Sequence, residues 1–168
     1  LLSLFFCFIA SASALAGPCE KMKLDLAKGT LNGVSLKASV VAVKKAFPCA
    51  YQESKYKNKS SLYFPQAGFS FSPGESISVN TIEEPGFNGS LSQAVLAKTA
   101  IEVEALLGPS AYSARVVADE SMGYYFGYEF YLRPWGTLIL KYDYYSPGHV
   151  EEVILTVKKL ADLKKEYP

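Results

Sequence analysis

The chain has 168 residues, with 17 Lys and Arg against 16 Asp and Glu, one His and three Cys; 49% of its residues are hydrophobic and 14% aromatic. A net charge of +1 without a basic face argues against nucleic acid as a partner, and a single His with so few cysteines does not assemble a usual zinc site. The length accommodates one ordinary domain, or two very small ones sharing a core.

Leu1–Ala10 is apolar and uncharged and is followed by small residues, the pattern of a signal peptide with its cleavage region. A leader over residues 1–16, with small-x-small sites at Ala12-Ser13-Ala14 and Ala14-Leu15-Ala16, predicts a secreted or periplasmic protein. The apolar run is too short to span a bilayer, and no later segment qualifies as a transmembrane segment. Pro18 between Gly17 and Cys19 disfavours lipidation of that cysteine. Removal of the leader takes Cys7 with it, so an oxidising compartment predicts a disulfide between Cys19 and Cys49. The triplets at Asn58 and Asn88 match the glycosylation sequon, which matters only in a eukaryotic secretory host.

"MKLDLAKGTLNG" alternates Met22, Leu24 and Leu26 and reads as an additional strand or a lead-in. "SLKASVVAVKKAFP" and "VLAKTAIEVEALLGP" then each start a helix at a hydroxyl residue and stop it at Pro or Gly-Pro. Ser39 and Thr99 fit as N-caps, and Thr99 with Glu102 fits a capping box. Val40, Val43 and Phe47 in the first, and Ala100, Val103 and Leu107 in the second, recur at helical spacing. Beyond each helix, after a variable stretch, aromatic-rich runs alternate with tetrads containing Pro or Gly, as strands alternate with tight turns. Ser-Pro-Gly recurs in "FSFSPGESISV" and "YDYYSPGHVEEVILTV", and Ser39 with Thr99, Gly68 with Gly136 and Pro73 with Pro147 serve as matched landmarks. The predicted class is α+β: tandem copies of a short helical element followed by an antiparallel β-meander, forming one curved sheet with helices on one face. The first copy spans 17–80, a connector 81–94, and the second copy with its tail 95–168.

Alternation in the second meander sorts residues by face. Tyr124, Phe126, Tyr128, Phe130 and Leu132, with Leu138, Leu140, Tyr142, Tyr144, Val153, Leu155 and Val157, are expected to pack against the helices. Tyr125, Glu129, Tyr131, Ile139, Lys141, Asp143, Tyr145, Glu152 and Ile154 are expected on the opposite side.

The phrases "GVSLKASVVAVKKAFP" and "AVLAKTAIEVEALLGPS", with the strands after them, resemble the turn-then-helix signature of the beta-lactamase-inhibitory protein and of the small outer-membrane assembly lipoproteins of the SmpA/OmlA (BamE) type. The resemblance covers roughly residues 29–157 at the level of pattern. It implies an exported protein-binding module, inhibitor-like or scaffold-like. The glycine of the family's turn is replaced around Lys37 and Ala97, and a proper lipidation box is absent, so the resemblance does not imply membrane anchoring.

Catalysis by nucleophile and base, or by a metal, needs residue types that this inventory lacks. His149 sits in a turn; Glu151 and Glu152, as neighbours on a strand, are expected on opposite faces; Glu83-Glu84 stands in the connector. No nucleophile elbow or phosphate-cradling loop occurs. The expectation is a non-enzymatic protein without cofactor or metal, binding another protein through Tyr63, Tyr125, Tyr131, Trp135 and Tyr145, because Tyr and Trp recur as interface anchors. The alternatives are a small-ligand or lipid carrier or, behind these, an unrecognised hydrolase.

Overall fold

The structure, a computed structural model, describes residues 19–57, 59–81, 86–144 and 148–168, apart from the Ala118 side chain. The leader, the Asn58 sequon, Glu83-Glu84, Tyr145 and Pro147 lie outside the described residues.

Among the described residues strand accounts for 46% and helix for 18%, so they are mostly β, and the expected α+β class of tandem helical elements each followed by a meander is corrected. The first strands are β1 (Met22–Asp25), β2 (Thr30–Leu31) and β3 (Val34–Ser35), followed by helix α1 (Val40–Ala46). Then come β4 (Gln52–Tyr56), β5 (Lys59–Phe64), β6 (Phe69–Ser72), β7 (Ser76–Asn80) and β8 (Gly89–Leu91). Helix α2 (Ala100–Leu107) precedes β9 (Tyr112–Asp119), β10 (Tyr124–Arg133), β11 (Gly136–Tyr142) and β12 (Val150–Thr156), and α3 (Leu160–Glu166) follows.

These strands form two sheets rather than one. The larger has eight strands in the order β4-β5-β6-β7-β12-β11-β10-β9, and the smaller has the order β3-β2-β1-β8. The large sheet is antiparallel throughout; its halves meet where β7 pairs with β12, with Val79 opposite Val153 and Ile77 opposite Leu155. The small sheet arises because the Met22/Leu24 alternation buries one face, and because β8, cut from the expected connector, pairs in parallel with β1. Gln52–Tyr56, left as part of a variable stretch by composition, is an edge strand with every residue exposed.

Nor do the helices share a face. Val43 of α1, its C-cap Phe47 and Val103 of α2 join the main core with Leu62, Phe64, Phe69, Phe71, Leu138, Leu140, Val153 and Leu155. Phe47 meets the rings of Phe64 and Phe69 edge-on at 5.7 and 5.2 Å, a favoured aromatic geometry. Leu163 of α3 packs on the opposite side, against Phe130 and Ile139. With a helix on each side, β11, β12 and the centre of β10 are buried on both faces, and simple alternation between core and solvent breaks down there.

The face assignment of β10 is inverted relative to β11, and the turn explains it. Arg133 pairs with Gly136, so the hairpin loop is only Pro134-Trp135 and Tyr131 lies opposite Leu138. Odd positions on β10 therefore share a face with even positions on β11, the opposite of a register that pairs even with even. Tyr131 joins Leu138, Leu140 and Tyr142 in the main core, whereas Phe130 and Tyr128 face α3. Tyr124 and Leu132, expected against the helices, are 39% and 57% exposed.

Candidate functional site

The five tyrosine and tryptophan positions expected to form one binding surface do not come together. Tyr63 lies half-buried on β5, in register with Gln52 and Ser70. Tyr131 is buried at 2% exposure, and its hydroxyl donates to Glu129 Oε2 at 2.6 Å. Trp135 is half-buried; its Nε1–H is shared between the carbonyls of Leu26 and Ala27 at 3.2 and 3.1 Å, and its indole lies so close on Gly29 that a Cβ there would strike the ring. Trp135 thus joins the two sheets, a structural task. Only Tyr125 is a freely accessible ring, at 49% exposure, and Tyr145 lies outside the described residues. The expected Cys19–Cys49 disulfide is present, with Cα atoms 5.1 Å apart, fastening the start of the described chain just beyond α1.

The exposed apolar side chains gather instead at the far end of the β9–β10 hairpin. Pairing of β10 with β11 begins at Gly127, whereas Tyr124, Tyr125 and Phe126 pair only with β9. This end is a two-stranded ribbon, an arrangement marginal by itself in water. Its turn is built by Asp119, whose carboxylate accepts from the Ser121 hydroxyl at 2.7 Å and from the Ser121 and Met122 amides at 2.8 and 3.3 Å. Those bonds, led by the Ser121 hydroxyl, hold its carboxyl below the usual range. Tyr144 supports the ribbon by stacking on Tyr124 at 4.9 Å and meeting Phe126 edge-on at 5.8 Å.

Val117, Met122, Tyr124, Tyr125 and Tyr144 are all exposed on this ribbon and beside it. A charged group borders them: Lys141 Nζ stands 3.9 Å from the Phe126 ring centre and 2.6 Å from Glu151, within cation–π range of the ring. Glu152 lies opposite Lys141 in register and accepts from Ser78. The expectation that Glu151 and Glu152 point to opposite faces is corrected here, since a register shift at Lys141/Tyr142 leaves both carboxylates beside Lys141. Burial, followed by the charges of Tyr167, Glu152 and Glu151, pushes the Tyr128 phenol up to about 12. Tyr131 and Tyr142 are raised further, by burial first and then by donating to Glu129, so both remain neutral donors.

Tyr124 and Tyr144, expected against the helices, are exposed because they lie beyond the stretch where β10 pairs with β11, and Met122 stands in the β9–β10 turn. The two-residue Pro-Trp loop fixes the parity of β10 but does not by itself locate this end.

Among the described residues, no group of three His, Cys, Asp or Glu is placed to hold a metal ion, and no helix is long and apolar enough to cross a membrane. No protein-family model, curated protein or solved structure matches the chain.

Proposed function

We propose that the protein is a non-enzymatic binding module of an oxidising, extracellular or periplasmic space that docks another protein on the ribbon end of the β9–β10 hairpin. The observation that carries this reading is that Met122, Tyr124, Tyr125 and Val117, exposed at 60%, 39%, 49% and 44%, stand on one two-stranded projection, with Tyr144, 36% exposed, beside it. Exposed aromatics with a charged border are the composition of a protein interface. Tyr56, 74% exposed on the opposite edge strand, is by contrast flanked by Lys57 and Lys59, the charges that keep an edge from pairing. The disulfide supports the choice of compartment. The reading rests on this surface alone, since no match links the chain to the inhibitory-protein-like or assembly-lipoprotein-like families.

A photo-crosslinking residue at position 122, tested against the native extracellular or periplasmic fraction, should capture one discrete protein. The same residue at position 56 should capture none. Equal capture at both positions, or at neither, refutes the assignment.

A further inference from the structure

On the sheet face that carries Tyr125, strands β9 and β10 border a cleft of about 570 Å³, within the range of small-molecule sites. Three residues lining it bear on what it could hold. Glu129 is held by two tyrosines at once: its Oε2 accepts from the buried Tyr131 at 2.6 Å and from the buried Tyr142 at 2.7 Å. It forms no ion pair among the described residues. Arg115, opposite Gly127 on the neighbouring strand, lines the same cleft and is likewise without an ion pair among them. Because Ser113 is the residue opposite Glu129, Arg115 and Glu129 stand in the diagonal relation across the pair of strands, roughly 7–8 Å between Cβ atoms.

Gly127 is the third. Its φ lies outside the left-handed region, its register with both Arg115 and Tyr142 is unbroken, and a Cβ there would meet Tyr142 Cβ at an ordinary 3.5 Å. Neither backbone conformation nor crowding calls for glycine, which in a strand marks a bulge, a bend, or close approach by a ligand or another backbone. The missing side chain leaves the floor of the cleft open beneath Tyr125 and beside Tyr142.

We infer that this cleft binds a small zwitterion of the free amino acid class. Its ammonium sits on Glu129, its carboxylate on Arg115, and an apolar or aromatic body lies over Gly127 against Tyr125 and Tyr142. Arg presents a planar fork of donors suited to a carboxylate, and tyrosine faces favour an ammonium beside them. This site shares Tyr125 and Tyr144 with the proposed docking surface, whereas Met122 and Tyr124 do not line it.

The test is isothermal titration of the disulfide-bonded protein with L-phenylalanine, and with phenethylamine and 3-phenylpropanoate as probes that each lack one charge. Phenylalanine should bind saturably, and each half-probe at least about tenfold more weakly. Arg115→Gln should reduce phenylalanine to the level of phenethylamine and leave phenethylamine unchanged. Glu129→Gln should reduce it to the level of 3-phenylpropanoate, and Gly127→Val should abolish binding while thermal unfolding stays cooperative. Should Glu129→Gln fail to fold, the Arg115 and Gly127 variants still decide the matter. Absence of saturable phenylalanine binding, equal binding of a half-probe, or wild-type affinity in Arg115→Gln and Gly127→Val overturns the inference.

Discussion

Tyr131 and Tyr142 direct two phenol hydroxyls at one carboxylate oxygen of Glu129 in the layer between β10 and α2's side of the sheet. Tyr131→Phe keeps the packing and removes one donor, so it should cost about 1–2 kcal/mol in denaturant unfolding. Tyr131→Ala also opens a cavity and should cost about 3–5 kcal/mol. Tyr125→Ala, on an accessible ring, should stay within about 0.5 kcal/mol of wild type. A pH effect follows from Tyr128. Its folded value is about 12, above the ordinary value of 10.0, because burial disfavours the phenolate. A group raised on folding contributes stability that is fully present below its unfolded value and is lost as pH rises through the folded one. Stability should therefore fall between about pH 10 and 12, and Tyr128→Phe should show a shallower fall in denaturation midpoints over that window.

The helix starts and the N-terminal segment are held by local devices that composition and spacing already reveal. Ser39 accepts from the Ala42 amide as N-cap of α1, and Thr99 and Glu102 form the reciprocal capping box of α2. Thr99→Ala should lower stability by about 1 kcal/mol. Opening the Cys19–Cys49 bridge, whose ends are separated by 30 in sequence, should lower it by about 3.5 kcal/mol on the chain-entropy estimate. Calorimetry of both variants checks the pair. Caps, Pro-bounded helix ends and the cysteine pair were legible because each depends on residues close in sequence or on simple counting. The β10 register was not, because it turned on whether "RPWG" spans four loop residues or two. The positions of Glu151 and Glu152 depended on a bulge against β11 that only the paired strand defines. Burial of both sheet faces hid α3, whose Leu160, Leu163 and Tyr167 cover Phe130, Ile139 and Tyr128. Among the proposed binding residues, Tyr131 and Trp135 look like interface anchors by type, and only tertiary contacts show them occupied with other tasks.

At the scale of the molecule, the long sheet has a sealed middle and two unlike ends. The β7–β12 seam is buried on the helix face by Val79, Ile77, Val153 and Leu155. Its amides should exchange only on global unfolding, while those of β4 and of the ribbon should exchange through local opening. The β4 end carries Tyr56 among Lys55, Lys57 and Glu53, whereas the β9–β10 end carries Val117, Met122, Tyr124 and Tyr125 exposed. The central claim is that this second end is an interface. Its most direct test is the affinity of the Tyr124→Ala variant for the protein captured from position 122, measured per folded molecule. We expect a loss of about 2 kcal/mol in binding with folding stability lowered by no more than about 1.5 kcal/mol, the worth of the Tyr144 stack. Wild-type affinity in a folded Tyr124→Ala protein would contradict the claim.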